Sequence, residues 1–309
     1  MDMANWTEAD IPDQQGRTIV VTGANSGLGL HAAKALAKAG ARVLLACRSP
    51  ERGEQALAQV DSPDAELVRL DLADLSSVAA AAKEIRERTG DRLDVLINNA
   101  GVMMTPKRHT ADGFELQFGT NHLGHAALTW LLMPALRNGT GARVVTLSSF
   151  MAQFGWVDTK DPNFTGRRYL PSFSYCQAKM ANLLFALELD KRLRAGGEPV
   201  ASLAAHPGYS ATELQANMAR SRGSGLLEQG AKLVNGISAQ PARIGALPEL
   251  YAATAPEASG GDYIGPGGFM ELRGHPRKVS VRRAKGQERT RERLWNLTAE
   301  LTGVSPDPV

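Results

Sequence analysis

Tyr175 and Lys179 lie four residues apart in Ser174-Tyr175-Cys176-Gln177-Ala178-Lys179, at the start of the apolar run Met180-Ala181-Asn182-Leu183-Leu184-Phe185. On a helix, residues i and i+4 share one face, so the ammonium can approach the phenol directly or through a shared ligand. A free phenol titrates near ~10, and its use as a base near neutrality needs a drop of ~3 units, about 4 kcal/mol. One positive charge at ~4 Å supplies roughly that much at an effective dielectric of ~20. The pair is therefore a candidate acid/base couple for a carbonyl or alcohol oxygen. Taken alone, the spacing also fits an ordinary surface pair, so its meaning depends on what surrounds it.

The elements that would position the pair alternate in kind. Thr18-Ile19-Val20-Val21 is a short β-branched run leading into Thr22-Gly23-Ala24-Asn25-Ser26-Gly27-Leu28-Gly29, and an alanine-rich helical pattern follows from His31 to Ala39. In such a strand–turn–helix, Gly23 permits the tight turn, Gly27 lets backbone approach a pyrophosphate, and Gly29 allows close helix–strand packing. The second strand, Ala41 to Cys47, ends in Cys47-Arg48-Ser49. A carboxylate at that place would bind ribose hydroxyls and repel a 2′-phosphate. Arg48 can instead grip the phosphate with its planar fork, or simply cover the adenine. This favours NADP(H) over NAD(H).

Further strand-like runs end at Asp71, at Asn98-Asn99-Ala100-Gly101 and at Ser148-Ser149, with helical patterns between them. The alternation predicts a Rossmann-type α/β fold: a doubly wound parallel sheet of about seven strands with helices on both faces. Ligands of such sheets bind beyond the carboxyl ends of the strands, where these candidate residues fall. His122 and His125 lie three apart without a nearby cysteine or carboxylate ligand set, so packing or surface roles are assigned to them and no metal is expected.

Thr-Gly-x3-Gly-x-Gly at Thr22–Gly29, the Asn98–Gly101 run, Asn121, Ser149 and Tyr175-x3-Lys179 together resemble the short-chain dehydrogenase/reductase family, over roughly residues 16–265. Finer features are similar to its retinol-dehydrogenase and protochlorophyllide-reductase-like branch: Ala46-Cys47-Arg48, Thr120–His125, Lys179–Asn182 and His206-Pro207-Gly208. The resemblance implies that Tyr175 is the general acid in reduction and the base in oxidation. Lys179 would hold the nicotinamide ribose and lower the phenol's pKa. Ser149 would orient the substrate oxygen. Asn121 would help hold a water that relays protons from Lys179. Ser148 competes with Ser149; alternation sends the two to opposite faces, and the family pattern favours the second. The cofactor positions implied are Gly23, Asn25, Ser26, Gly27, Leu28 and Gly29 at the phosphates, Arg48, and Asp71 and Leu72 at adenine. They continue with Asn99, Ala100 and Gly101 on the adenosine ribose side, Tyr175 and Lys179, and Pro207, Gly208 and Thr212 around the nicotinamide amide and phosphates.

The segment between Ser149 and Tyr175 is longer than in most of that family and would lie at the substrate mouth. Residues 213–238 carry Leu214, Met218, Leu226, Leu227, Leu233, Val234 and Ile237 among polar residues, which reads as a helical substrate lid, with a core or dimer helix as the plainer alternative. The expected organisation is one dinucleotide-binding and catalytic domain over residues 1–309, closed by a basic tail and helix at about 273–303.

At 309 residues, 43% hydrophobic and 22% charged, the composition is that of a globular chain. No stretch has the ~20 apolar residues of a membrane span, and the polar start lacks the order of a signal peptide. Cys47 and Cys176 are the only cysteines, so a reducing cytoplasm is the expected location. Arg273–Arg293 carries a local +7 against a whole-chain +3, yet no aromatic residue lies there to stack on bases, so no nucleic acid is expected. A homo-oligomer is compatible with the helix faces such folds leave over. The expected activity is NADP(H)-dependent hydride transfer to or from a small apolar carbonyl/alcohol substrate. The alternative from another class is a catalytically silent NADP-binding sensor, which would have no need of Asn121, Ser149, Tyr175 and Lys179 together.

Overall fold

The computed structural model describes residues 5–209, 240–280, 284 and 286–308. The lid expected at 213–238 and Thr212 lie outside the described residues.

In chain order the elements are β1 (Thr18–Thr22), α1 (Gly27–Lys38), β2 (Arg42–Cys47), α2 (Pro50–Val60), β3 (Ala65–Arg69), α3 (Leu75–Thr89) and β4 (Val95–Asn98). A short α4 (Leu116–Phe118) passes through a π-helical turn, Gly119–Leu123, into α5 (Gly124–Arg137). Then come β5 (Ala142–Leu147), a 3-10 turn (Phe150–Phe154), α6 (Pro171–Ala195) and β6 (Val200–Ala205). The chain continues with α7 (Ala242–Gly245), α8 (Leu247–Thr254), β7 (Tyr263–Pro266), β8 (Pro276–Lys278) and α9 (Glu288–Thr302). The sheet order is β3-β2-β1-β4-β5-β6-β7-β8. All pairs are parallel except β7–β8. The sheet thus has one strand more than the seven expected. Three residues with an antiparallel register to β7 give no alternation long enough to read from sequence.

Local chemistry accounts for where the helices begin and end. Asp74 caps α3 by accepting from the Ser76 and Ser77 amides, and Ser49 caps α2 through the Arg52 amide. Asp61 and Gly90 end α2 and α3 in the left-handed conformation. The strands read as continuous apolar runs because both faces are covered. α1 and α8 pack one side around Val21, Val43, Ile97 and Leu203. α3, α5, α6 and α9 close the other side through Leu96, Val144, Phe185 and Trp295.

The apolar spacing over residues 241–253 suits one helix, but the structure divides it into α7 and α8 at Ala246, one residue before Leu247-Pro248. Proline disfavours a helical residue ahead of it and lacks an amide to continue the ladder. On α9, Leu294 and Trp295 are buried, whereas Leu297 and Leu301, apolar like them, are only half-covered. Thr298 takes the inward place, held by a 2.9 Å hydrogen bond with the His122 ring. A polar partner on the neighbouring element reversed the choice that hydrophobicity alone suggests.

Candidate active site

The site is built at the carboxyl edge of the sheet, around the place between β1 and β4 where strand order reverses. The turn after β1 carries its glycines for distinct reasons. Gly23 has φ +66°, and a Cβ there would stand 2.9 Å from Ala100. Gly27 has φ +58°, the left-handed region that side chains rarely adopt. A Cβ on Gly29 would meet Asn99 Nδ2 at 2.4 Å and the Gly23 carbonyl at 2.7 Å. Ser26 is the N-cap residue of α1 without bonding a helix amide through its side chain. Asn25, Ser26 and Leu28 therefore sit on a bare helix start whose amides and dipole suit phosphate.

Thr22 ties this turn to the next strand. Its hydroxyl accepts from the Asn99 and Ala100 amides at 2.9 and 3.0 Å and lies 2.9 Å from His125 Nε2, while Asn99 Nδ2 donates to the Thr22 carbonyl at 2.7 Å. His125 Nδ1 in turn meets the Asn121 carbonyl at 2.9 Å. Burial holds His125 down at about 4 and His122 at about 3, so both are neutral packing groups near pH 7. Sequence reasoning placed the histidines in packing but missed that His125 bridges the glycine turn and the π-helical turn. Its i, i+4 spacing from Asn121 was the available signal.

Asn121 is buried in the π-helical turn, a local widening common at functional sites. Its side chain accepts from the Val102 amide at 2.8 Å and donates to the Val102 carbonyl at 2.9 Å. It clamps the chain leaving β4. A Cβ on Gly101 would come 3.1 Å from Asn121 Oδ1 and 3.6 Å from Lys179 Nζ, so Gly101 keeps these two groups close.

Tyr175 and Lys179 occupy the first turns of α6 and are 5% and 4% exposed. Ser149, just past β5, lies beside the phenol, whose pKa it draws down, and caps the following 3-10 turn by accepting from the Met151 amide. Ser148 faces away: it is buried and donates to the Lys179 carbonyl at 2.8 Å. The expectation of opposite faces holds. Lys179 Nζ donates to the Leu147 carbonyl at 3.0 Å, and Asn182 Nδ2 donates to the same oxygen at 2.9 Å. Asn182 was not among the expected site residues, although it lies on the same helix in Lys179-Met180-Ala181-Asn182.

One electrostatic expectation runs the other way. Burial pushes the Tyr175 phenol up to about 12, with only Ser149 pulling it down. Lys179, itself lowered to about 8 by burial, contributes no offsetting effect among the causes of that shift. Helical spacing brings the two onto one face, but the ammonium is engaged by a strand carbonyl and desolvation of the phenol wins.

The remaining expected residues fall along the same edge. Arg48 is exposed just beyond β2. Asp71, two residues past β3, caps its own turn through the Ala73 amide at 2.9 Å, and Leu72 is buried with its carbonyl against Gly124. Gly208 has φ +65°, and a Cβ there would meet the Leu272 carbonyl at 2.5 Å, while the Pro207 carbonyl accepts from Gln240 at 2.7 Å. The long segment before Tyr175 is stitched to the chain after β4. Lys107 donates to the Phe164 carbonyl at 2.6 Å, Tyr169 to the Thr105 carbonyl at 2.9 Å, and Gln117 to Tyr169 at 3.0 Å. Phe154, Trp156 and Phe173 stand out from this region at 54%, 56% and 47% exposure, an unusually apolar rim.

A doubly wound sheet with a glycine-lined phosphate cradle and a Ser–Tyr–Lys constellation at its carboxyl edge defines a dinucleotide-dependent oxidoreductase. The short chain dehydrogenase family model matches residues 17–223, and the chain belongs to that family, in its retinol-dehydrogenase-like branch. Human retinol dehydrogenase 12 is 39% identical over 295 residues, covering 94% of this chain and 87% of the relative. Mouse polyprenol dehydrogenase is 40% identical over 304 residues, with 95% and 86% covered. A crystal structure of a Mycobacterium paratuberculosis protein superposes with a TM-score of 0.82 at 42% identity, covering 99% of this chain and all 100% of that one. The protein is an oxidoreductase acting on CH–OH groups, with a nicotinamide dinucleotide as hydride partner.

Proposed function

We propose that the protein is an NADP(H)-dependent oxidoreductase that interconverts an apolar alcohol and its carbonyl, with Tyr175 as general acid/base. The observation that carries this reading is the buried Tyr175, beside Ser149 and one helical turn from the buried Lys179 at the carboxyl edge of the sheet. A phenol near 12 is fully protonated at neutral pH, the form that donates to a carbonyl oxygen in reduction. Ser149 orients that oxygen. Oxidation needs the phenolate, and bringing a pKa of about 12 to neutrality takes about 7 kcal/mol. Lys179 supplies one cation toward it, at the depth where the ribose hydroxyls would lie.

The glycine turn fits a dinucleotide, since a Cβ at Gly23 or Gly29 would collide with Ala100, Asn99 or the Gly23 carbonyl and force the turn out of the shape that aims its amides at phosphates. When bound, the nicotinamide gives or takes the hydride; the protein supplies orientation and a water-poor pocket. Gly23 to Gly29 hold the pyrophosphate, Arg48 the 2′-phosphate, Asp71 and Leu72 the adenine, Asn99 to Gly101 the adenosine ribose. Pro207, Gly208 and Thr212 take the nicotinamide side. Asn121 fixes the floor beside Lys179 and serves the relay of protons outward. The preference for NADP(H) rests on an arginine, and no carboxylate, directly after β2.

An apolar substrate is supported by the Phe154, Trp156 and Phe173 rim and by relatives named for retinol and polyprenol. Both cysteines, Cys47 and Cys176, are free and buried, in keeping with the cytoplasmic location proposed for the protein. The test is loss of nicotinamide absorbance on adding NADPH with a panel of aldehydes and ketones graded in chain length. Turnover that rises with apolar length supports the reading; preference for short polar carbonyls, or turnover unaltered in Tyr175→Phe, refutes it.

A further inference from the structure

Glu249 is the third residue of α8, the helix that packs beneath β4, β5, β6 and β7 on the face opposite α6. α8 leads into β7, which runs parallel to its neighbour β6, so the helix returns toward the amino edge and its first turn lies near the carboxyl edge. Glu249 is 1% exposed, and neither of its carboxyl oxygens has a hydrogen-bond partner among the described residues. An isolated buried carboxylate costs several kcal/mol, so the group must hold a proton or answer a cation.

The charges around it identify which cation. Lys179, across the sheet edge on α6, is the single charged group that acts on Glu249 among the described residues. Arg143 on β5 and Asp262 ahead of β7 act on Tyr251, two residues further along α8. Arg243 on α7 and Lys34 on α1 act on His31. Lys278 on β8 is paired with Asp262 at 2.8 Å. β4 and β6 carry no ionisable side chain, Tyr263 of β7 packs on the opposite, α6 face, and on β8, which α8 also touches, Arg277 and Lys278 are exposed.

We propose that Glu249 is a positioning residue for the Tyr175–Lys179 pair: its buried, unpartnered carboxyl group answers Lys179 across the carboxyl edge of the sheet and governs when the lysine loses its charge. The inference rests on the assignment of Tyr175 and Lys179 under the proposed function. Burial drives the two groups toward each other, Glu249 up to about 8 and Lys179 down to about 8, and each charge pulls the other back. The two therefore titrate as a coupled pair. As pH rises, ionised Glu249 favours the ammonium and delays its deprotonation. Without the carboxylate, burial acts alone and the lysine becomes neutral at lower pH.

The experiment is the NADPH dissociation constant of the full chain, followed by nicotinamide fluorescence between about pH 6 and about pH 10, which spans the perturbed range of both groups. Lys179→Met identifies the alkaline limb by abolishing it. Glu249→Gln moves that limb to lower pH by about one unit, the order of shift that losing one neighbouring charge produces. Glu249→Met, which removes the carboxyl without leaving a buried polar atom, does the same and covers the case in which the amide variant does not fold. Glu249→Asp keeps the charge and keeps the limb in place. A limb unmoved in the Gln and Met variants, a limb moved equally in the Asp variant, or a weakening equal at every pH would show packing alone and overturn the proposal. A wild-type chain that binds no NADPH would overturn the cofactor reading, and this one with it.

Discussion

Lys179 Nζ donates to the backbone carbonyl of Leu147 at 3.0 Å. The last residue of β5 thereby holds the lysine at the floor of the site, one helical turn from the phenol it is meant to assist. Asn182 shares that carbonyl at 2.9 Å, so the lysine is located by strand and helix together. Under the proposed function the roles would divide: Tyr175 would move the proton, Ser149 would orient the substrate oxygen, and Lys179 would supply charge and a grip on the cofactor.

Tyr175→Phe removes the proton donor and keeps the ring. Turnover should fall by about 10²- to 10⁴-fold, the usual contribution of a positioned acid or base. NADPH affinity should remain within a few-fold, because the ring still fills its buried place. Steady-state kinetics beside a binding titration checks both halves.

Arg48 is exposed beyond β2, where its loss leaves the core untouched. Arg48→Ala should weaken NADPH by about tenfold or more, the worth of a charge-assisted hydrogen bond to phosphate. NADH should change little. Equal weakening of the two cofactors would place the arginine over the adenine instead.

Gly29→Ala puts a methyl group 2.4 Å from Asn99 Nδ2 and 2.7 Å from the Gly23 carbonyl. The backbone on that side cannot yield without opening the Thr22–Asn99 link, so a loss of about 1–3 kcal/mol in stability is expected. Cofactor binding should fall with it. Thermal melts with and without NADPH separate the two, since the variant should also lose most of the ligand-dependent rise.

His122 and His125 are held near 3 and near 4 by burial, below the ordinary value of 6.5. The unfolded chain binds protons first, so both contribute stability that is present above about pH 6.5 and lost as pH falls toward their folded values. Between about pH 6 and about pH 4 each should cost about 1.4 kcal/mol per pH unit. In His122→Asn the acid slope of a denaturant-unfolding series should be about halved. An unchanged slope would mean that carboxylates, not this histidine, set the acid limit.

Much of this architecture was legible because it is local. The run Thr18–Val21, the glycines at 23, 27 and 29, and the caps Asp74 and Ser49 act within a few residues, and each element they announce is present. The Ser148/Ser149 choice was likewise readable, since alternation along a strand is a short-range rule. Family motifs then supplied roles for Tyr175 and Lys179. β8, the break at Ala246 and the inward Thr298 were not legible, because a three-residue antiparallel register and a histidine on a distant helix leave no pattern in their own windows.

By itself, then, the sequence determined the alternating elements and the glycine turn, consequences of backbone geometry and side-chain type at short range, and through its family motifs it named the groups proposed to react. The tertiary structure alone decided how those groups are tuned. It buried Tyr175 until its phenol rose to about 12, turned Lys179 to the Leu147 carbonyl and brought Glu249 from the other face of the sheet within reach of the lysine's charge. Desolvation and through-space charge depend on what the whole chain packs around an atom, and spacing along the chain carries no measure of either.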